Sequence, residues 1–221
     1  TNISDCDCKV IEDGTCSFSN KLLSDIVRKR APGELSFSCT ADDLTIKSQF
    51  SEFKLKALPH DDYPDIDTHY SMDKSVKLAM KDLNKIIKKT LFSVSQDQAR
   101  PTLCGVYFKF SDGMLNAASL DGYRISSLKF KADTVDASED SSFIVPYRTL
   151  FELQKMLDDT DDIVEIIYAR DRAVFKIDSS YIYTRLIEGD FFNYEEVFAT
   201  DDYTTVKIAR MELINAIERV S

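Results

Sequence analysis

Alternation and helical spacing of apolar residues divide most of the chain into short elements. Leu83, Ile86, Ile87 and Thr90 recur at the i, i+3, i+4, i+7 spacing of one buried helix face, predicting a helix over Met80 to Thr90. Val106, Phe108 and Phe110 alternate with Tyr107 and Lys109, and Ser111-Asp112-Gly113 turns the chain back into Met114 to Leu120, the pattern of a hairpin. An Asp121-Gly122 turn leads to a strand over Ile125 to Phe130, and beyond the acidic stretch Asp133 to Asp140 lies another over Phe143 to Val145. Pro146 then opens a second helix, Tyr147 to Leu157, on which Leu150, Leu153 and Leu157 align. Strands follow at Ile163–Tyr168, Ala173–Ile177 and Tyr181–Leu186, so the unit has two helices and about seven strands. The predicted class is α+β, with the helices packed on antiparallel sheets.

The pattern repeats. Val76-Lys77-Leu78-Ala79-Met80-Lys81-Asp82-Leu83 returns 130 positions later as Val206-Lys207-Ile208-Ala209-Arg210-Met211-Glu212-Leu213. Phe53-Lys54-Leu55 is echoed 128 positions on by Tyr181-Ile182-Tyr183, and Phe18 to Ile26 matches Val145 to Leu153 at an offset of 127. Three collinear matches at nearly constant spacing predict tandem duplication of a unit of roughly 130 residues. Residues 1–70 then read as the C-terminal part of a first domain, 71–203 as a complete second domain, and 204–221 as the first strand and helix of a third. The expectation is a fragment of a protein on the order of 380 residues.

Composition narrows the class. Of 221 residues, 43% are hydrophobic and 30% charged, enough to bury a core. The five cysteines (Cys6, Cys8, Cys16, Cys39, Cys104) form no C-x-x-C pair, which favours reduced thiols over a disulfide framework or zinc site. Cys6 and Cys8 are expected on one face of a strand. No apolar run is long enough for a membrane span or a signal peptide.

A net charge of −10 argues at first against a nucleic-acid partner. Its distribution reverses that argument. Residues 77 to 89 hold Lys77, Lys81, Lys85, Lys88 and Lys89 against Asp82, and residues 20 to 30 hold Lys21, Arg28, Lys29 and Arg30 against Asp25. These 24 residues carry +7 and the remaining 197 carry −17. At 100° per residue, Lys81, Lys85, Lys88 and Lys89 lie opposite the apolar face of their helix, an arrangement suited to the backbone of a polyanion. No groove-reading motif accompanies it, so such contacts would not read sequence.

Catalytic signals are sparse. His60 and His69 lie among Asp61, Asp62, Asp65 and Asp67, where a metal or general-base role competes with that of a solvated linker. No P-loop, G-x-S-x-G or dinucleotide fingerprint is present, and only six glycines occur.

Several segments, in order, resemble the bacterial sliding clamp family, the beta subunit of DNA polymerase III. They are Leu58 to Pro64, Phe92-Ser93-Val94-Ser95 through Arg100-Pro101-Thr102-Leu103-Cys104-Gly105-Val106, Ser119 to Ile125, Phe143-Ile144-Val145-Pro146, and Thr184 to Phe191 with Tyr194-Glu195. The resemblance implies a DNA-clamp fold of tandem domains in a homodimeric ring around duplex DNA, with helices facing the DNA. It also implies a non-catalytic, cofactor-free processivity factor of the bacterial cytoplasm, on the nucleoid. Its implied partners are double-stranded DNA, and the polymerase alpha subunit and clamp loader bound through short linear motifs.

By the same resemblance, the second-domain part of the motif pocket comprises Leu103, Leu120, Gly122, Tyr123, Arg124, Ile125, Phe192 and Val197, with ordinary core packing as the other reading of its aliphatic members. Arg100 is the expected DNA contact, to which the helix faces add Lys81, Lys85, Lys88 and Arg28. Phe192 stands where the family usually has Pro, Tyr123 where it has His, and Glu196 where a basic residue is common. Two other readings compete: a clamp-fold interaction scaffold that does not encircle DNA, and, more remotely, a hydrolase using the His60–Asp67 cluster.

Overall fold

A computed structural model of the chain describes residues 1–29, 32–40, 42–57, 74–111, 113–131, 141–198 and 204–220. The histidine–aspartate cluster at 60–69, the acidic stretch 133–140 and Arg30 lie outside them. The chain forms two compact units, Thr1–Asp5 with Met72–Ser221, and Cys6–Ser71. Strand β1 (Asn2–Ser4) pairs with a strand of the larger unit, which accounts for the divided first segment.

In the smaller unit, helix α1 (Asn20–Lys29) accompanies an antiparallel meander of β2 (Ser36–Cys39), β3 (Asp43–Lys47) and β4 (Glu52–Lys56). Among its described residues Leu44 and Ile46 are buried, two apart on one face of β3. Cys6 and Cys8 are exposed and lie in no strand, contrary to expectation. Alternation cannot be read from a lone pair of cysteines flanked by charged residues.

The larger unit contains β5 (Lys74–Ala79), α2 (Met80–Thr90), β6 (Gly105–Ser111), β7 (Met114–Leu120), β8 (Ile125–Lys131), β9 (Ser141–Pro146), α3 (Tyr147–Gln154), β10 (Ile163–Tyr168), β11 (Arg172–Ile177), β12 (Ser180–Arg185) and α4 (Arg210–Glu218). Two antiparallel sheets result, ordered β1-β12-β11-β10-β5 and β8-β7-β6-β9. A common core joins their inner faces to α2 and α3, and includes Phe108, Phe110, Phe175, Leu83 and Leu150. Phe143 of one sheet meets Tyr168 of the other at 4.8 Å, and the Tyr168 hydroxyl lies 2.6 Å from the Ser141 hydroxyl.

Three details differ from the sequence reading. The described residues of 71–203 hold eight strands rather than about seven, because β5 pairs along its whole length with β10 and buries Val76 and Leu78. Helix α3 stops at Gln154; the amides of Lys155 and Met156 bond three residues back, and this tighter turn delivers Leu157 to the core. Residues 204–209 are not a strand, since a strand is defined by its ladder and no described strand pairs with them. The repeat is visible in the elements themselves: α1 and α3 begin at Asn20 and Tyr147, α2 and α4 at Met80 and Arg210, and the β2-β3-β4 meander matches β10-β11-β12.

Candidate functional site

Helix α2 is held at both ends. The amides of Met80 and Lys81, which lack intrahelical acceptors, donate to the carbonyls of Asp162 (2.7 Å) and Thr160 (3.0 Å). At the other end the Ser119 hydroxyl of β7 donates to the Thr90 carbonyl at 2.5 Å, and that of Ser126 on β8 donates to the Lys89 carbonyl. Leu83, Ile86, Ile87 and Thr90 are fully buried between these anchors, so Lys81, Lys85, Lys88 and Lys89 face solvent.

Ion pairing divides the lysines. Lys81 contacts Asp161 at 2.5 Å, and that hydrogen bond, followed by the carboxylate's charge, raises its pKa above the usual lysine value. Lys77 lies on β5 rather than on the helix, 3.7 Å from Glu165 of β10. Lys85, Lys88 and Lys89 have no carboxylate partner among the described residues. Lys85 lies three and four positions before Lys88 and Lys89, so it repels both, and a polyanion relieves that repulsion. In the smaller unit Arg28 is exposed in the last turn of α1.

The loop carrying Arg100 is closed on itself. The Ser95 amide donates to the Leu103 carbonyl at 3.0 Å, sealing its ends. Inside, the Asp97 amide donates to the Ser95 hydroxyl (3.1 Å), the Ala99 amide to the Asp97 carboxylate (3.0 Å), and the Cys104 thiol to the Asp97 carbonyl (3.2 Å). Burial, then the charge of Asp97, pushes the Cys104 thiol pKa up. Arg100 is exposed and directly precedes Pro101, with φ −122° and ψ 74°, outside the helical region that a following proline disfavours.

The pocket candidates separate into two groups. Leu103 and Leu120 are 8% and 6% exposed but are not part of the main core cluster. Because Ser119 reaches α2, Leu120 points to the opposite face of the sheet, where it pairs with Ile125 of β8. The segment after β12 lies over that face: Phe191 stacks on Tyr107 at 4.8 Å, and Tyr194 is buried beside Ser127 of β8 and Tyr107. Burial raises the Tyr194 phenol pKa. Phe192 and Val197 flank it, 50% and 47% exposed.

Gly122, Tyr123 and Arg124 form the turn between β7 and β8. The Asp121 carboxylate accepts the amides of Tyr123 and Arg124 at 3.1 Å each and the Arg124 Nε at 2.8 Å, while Gly122 adopts φ +91°. These bonds, led by the Tyr123 amide, hold the Asp121 carboxyl below its usual pKa. Tyr123 projects fully into solvent, and Arg124 sits 5.7 Å above the ring of Phe92. A cavity of about 370 Å³ between this turn and the 91–96 segment takes in Tyr123 and Arg124, together with Phe92, Gln96 and Tyr147. Phe92 and Tyr147 did not emerge from the sequence as site residues; Phe92 stood only within the clamp-like segment Phe92–Ser95, and Tyr147 only as the first residue of the second helix.

The central domain family of the DNA polymerase III beta subunit matches residues 77–193. The beta sliding clamps of Staphylococcus epidermidis and Halalkalibacterium halodurans are 29% and 27% identical over 214 and 213 residues, each match covering 96% of this chain and 56% of the relative. The chain thus spans about half the length of these curated relatives. Among solved structures, a putative DNA polymerase III beta subunit from Eubacterium rectale superposes with a TM-score of 0.90 at 25% identity, covering 99% of this chain and 60% of that one. The DNA polymerase sliding clamp of Bacillus subtilis superposes with 0.87 at 25% identity, covering 96% and 55%. With more than half its length matched by the central-domain family and its fold shared with these structures, the chain belongs to the DNA polymerase III beta subunit family.

Proposed function

We propose that the full-length protein is a DNA sliding clamp: a non-catalytic processivity factor that closes as a homodimeric ring on duplex DNA and tethers the replicative polymerase. Residues 1–70, 71–203 and 204–221 belong to its first, second and third domains, and it acts on the nucleoid in the bacterial cytoplasm. The observation that carries the DNA-facing part is the lysine stripe of α2. Lys85, Lys88 and Lys89 are exposed, without carboxylate partners among the described residues, on a helix fixed at both ends. A few mobile phosphate contacts of this kind hold DNA without reading it, which sliding requires. Arg100 on its closed loop and Arg28 on α1 are further proposed contacts, and Lys81 a weaker one because Asp161 already neutralises it.

The turn Asp121–Arg124, with Leu103, Leu120, Ile125, Phe192 and Val197, is proposed to receive short linear motifs of the polymerase alpha subunit and the clamp loader. An extended peptide with apolar anchors fits the exposed Tyr123, Phe192 and Val197 beside a preorganised turn, with Leu103 and Leu120 only narrowly exposed.

The scaffold reading draws support from the two ion pairs that withdraw Lys77 and Lys81 from the basic surface. Light scattering on the full-length protein separates the readings. The clamp requires a dimer at micromolar concentration, and a strict monomer there favours the scaffold.

A further inference from the structure

The segment following β12 combines exposed apolar groups with unneutralised negative charge. Between Leu186 and Phe198 the chain holds Glu188, Asp190, Glu195 and Glu196 and no lysine, arginine or histidine. None of the four carboxylates forms an ion pair among the described residues; Glu196 accepts only the Asn193 side-chain amide, at 2.6 Å. Arg124, the one cation among the pocket residues, is engaged by Asp121 at 2.8 Å.

The segment is also firmly seated. Ile187 bridges to Ile144, Phe191 stacks on Tyr107, and Tyr194 is buried. Between and beyond these anchors Phe192, Val197 and Phe198 are 50%, 47% and 61% exposed, with Glu195 and Glu196 exposed directly before Val197. A ligand chain packing on Val197 and Phe198 brings its neighbouring residues within reach of both glutamates. Like charge repels nucleic acid from this surface, and a second copy of the chain, at −10, is poorly suited to it.

We propose that this segment selects partner peptides carrying lysine or arginine next to their apolar anchor residues. The inference rests on the peptide-pocket reading above and adds the charge class of the partner. Rim charges of this kind act on encounter rate and on discrimination between partners, and they weaken as salt rises.

Fluorescence polarisation with the full-length protein tests this, using three labelled peptides that share one Leu/Phe anchor and differ only in flanking lysine, serine or glutamate. At low salt the lysine peptide should bind about tenfold more tightly than the glutamate peptide, and the gap should narrow at about 0.5 M salt, where the screening length is a few ångströms. Glu195→Lys with Glu196→Lys should reverse the order, the serine peptide reporting that the variant is folded. Equal affinities for all three peptides overturn the charge selection while leaving the pocket intact. Failure of all three to bind the unaltered protein overturns the pocket reading and this inference with it.

Discussion

Asp121 organises the turn between β7 and β8 with one carboxylate, so its protonation state governs the shape of the proposed pocket rim. Its folded pKa is depressed, so the ionised form's contribution to stability is present above the unfolded value and is lost as pH falls through the folded one. The amide resonances of Tyr123 and Arg124 should therefore hold their positions down through the ordinary aspartate range and shift only below it. Movement at the ordinary aspartate pKa would contradict the bonding described. A second residue-scale expectation concerns Cys16, whose thiol is pushed up to about 11 by burial and by its hydrogen bond to Cys39. In timed iodoacetamide labelling followed by mass spectrometry, the exposed Cys6 and Cys8 should be modified first. The rate at Cys16 should climb about tenfold per pH unit through the range below its pKa. Of the pocket residues, the D-G turn and Leu120 stood out in the sequence as types. Which sheet face Leu120 occupies did not, because that depends on Ser119 bonding to α2.

At the scale of the element, α2 was the most legible part of the chain: its apolar spacing and its lysines fall on opposite faces as the sequence indicated. Its anchors were not legible, since they are backbone carbonyls of the 158–162 stretch and hydroxyls of two strands remote in sequence. Ion pairing was equally hidden, because Asp161 reaches Lys81 only once that stretch folds over the helix start. The stripe should act as a unit. Lys85→Glu with Lys88→Glu should sharply reduce retention of the full-length protein on DNA while leaving its melting temperature nearly unchanged, both side chains being exposed. Leu83→Ala, at a fully buried position of the same helix, should instead destabilise the fold by about 2–5 kcal/mol in urea unfolding. Gly105 offers a further check on β6. A Cβ there would collide with the Val145 carbonyl, so Gly105→Ala should disrupt the β6–β9 pairing and lower the thermal midpoint.

For the whole molecule, the duplication was legible because helix starts and the closing meander recur at nearly constant offsets. The strand expected after Thr204 was not observed, for a strand depends on a neighbour and periodicity alone supplies none. Charge is unevenly placed along the chain: with a net −10 overall, residues 20–30 and 77–89 carry +7 and the rest −17. On the proposed function, the full-length protein stays on DNA by encircling it rather than by gripping it. The most direct test loads that protein onto nicked circular DNA with a clamp loader, linearises half the sample, and measures the protein that co-elutes with DNA on gel filtration. Encirclement predicts retention on circles and loss from linear molecules through their free ends; equal retention on both, or none on circles, would rule it out.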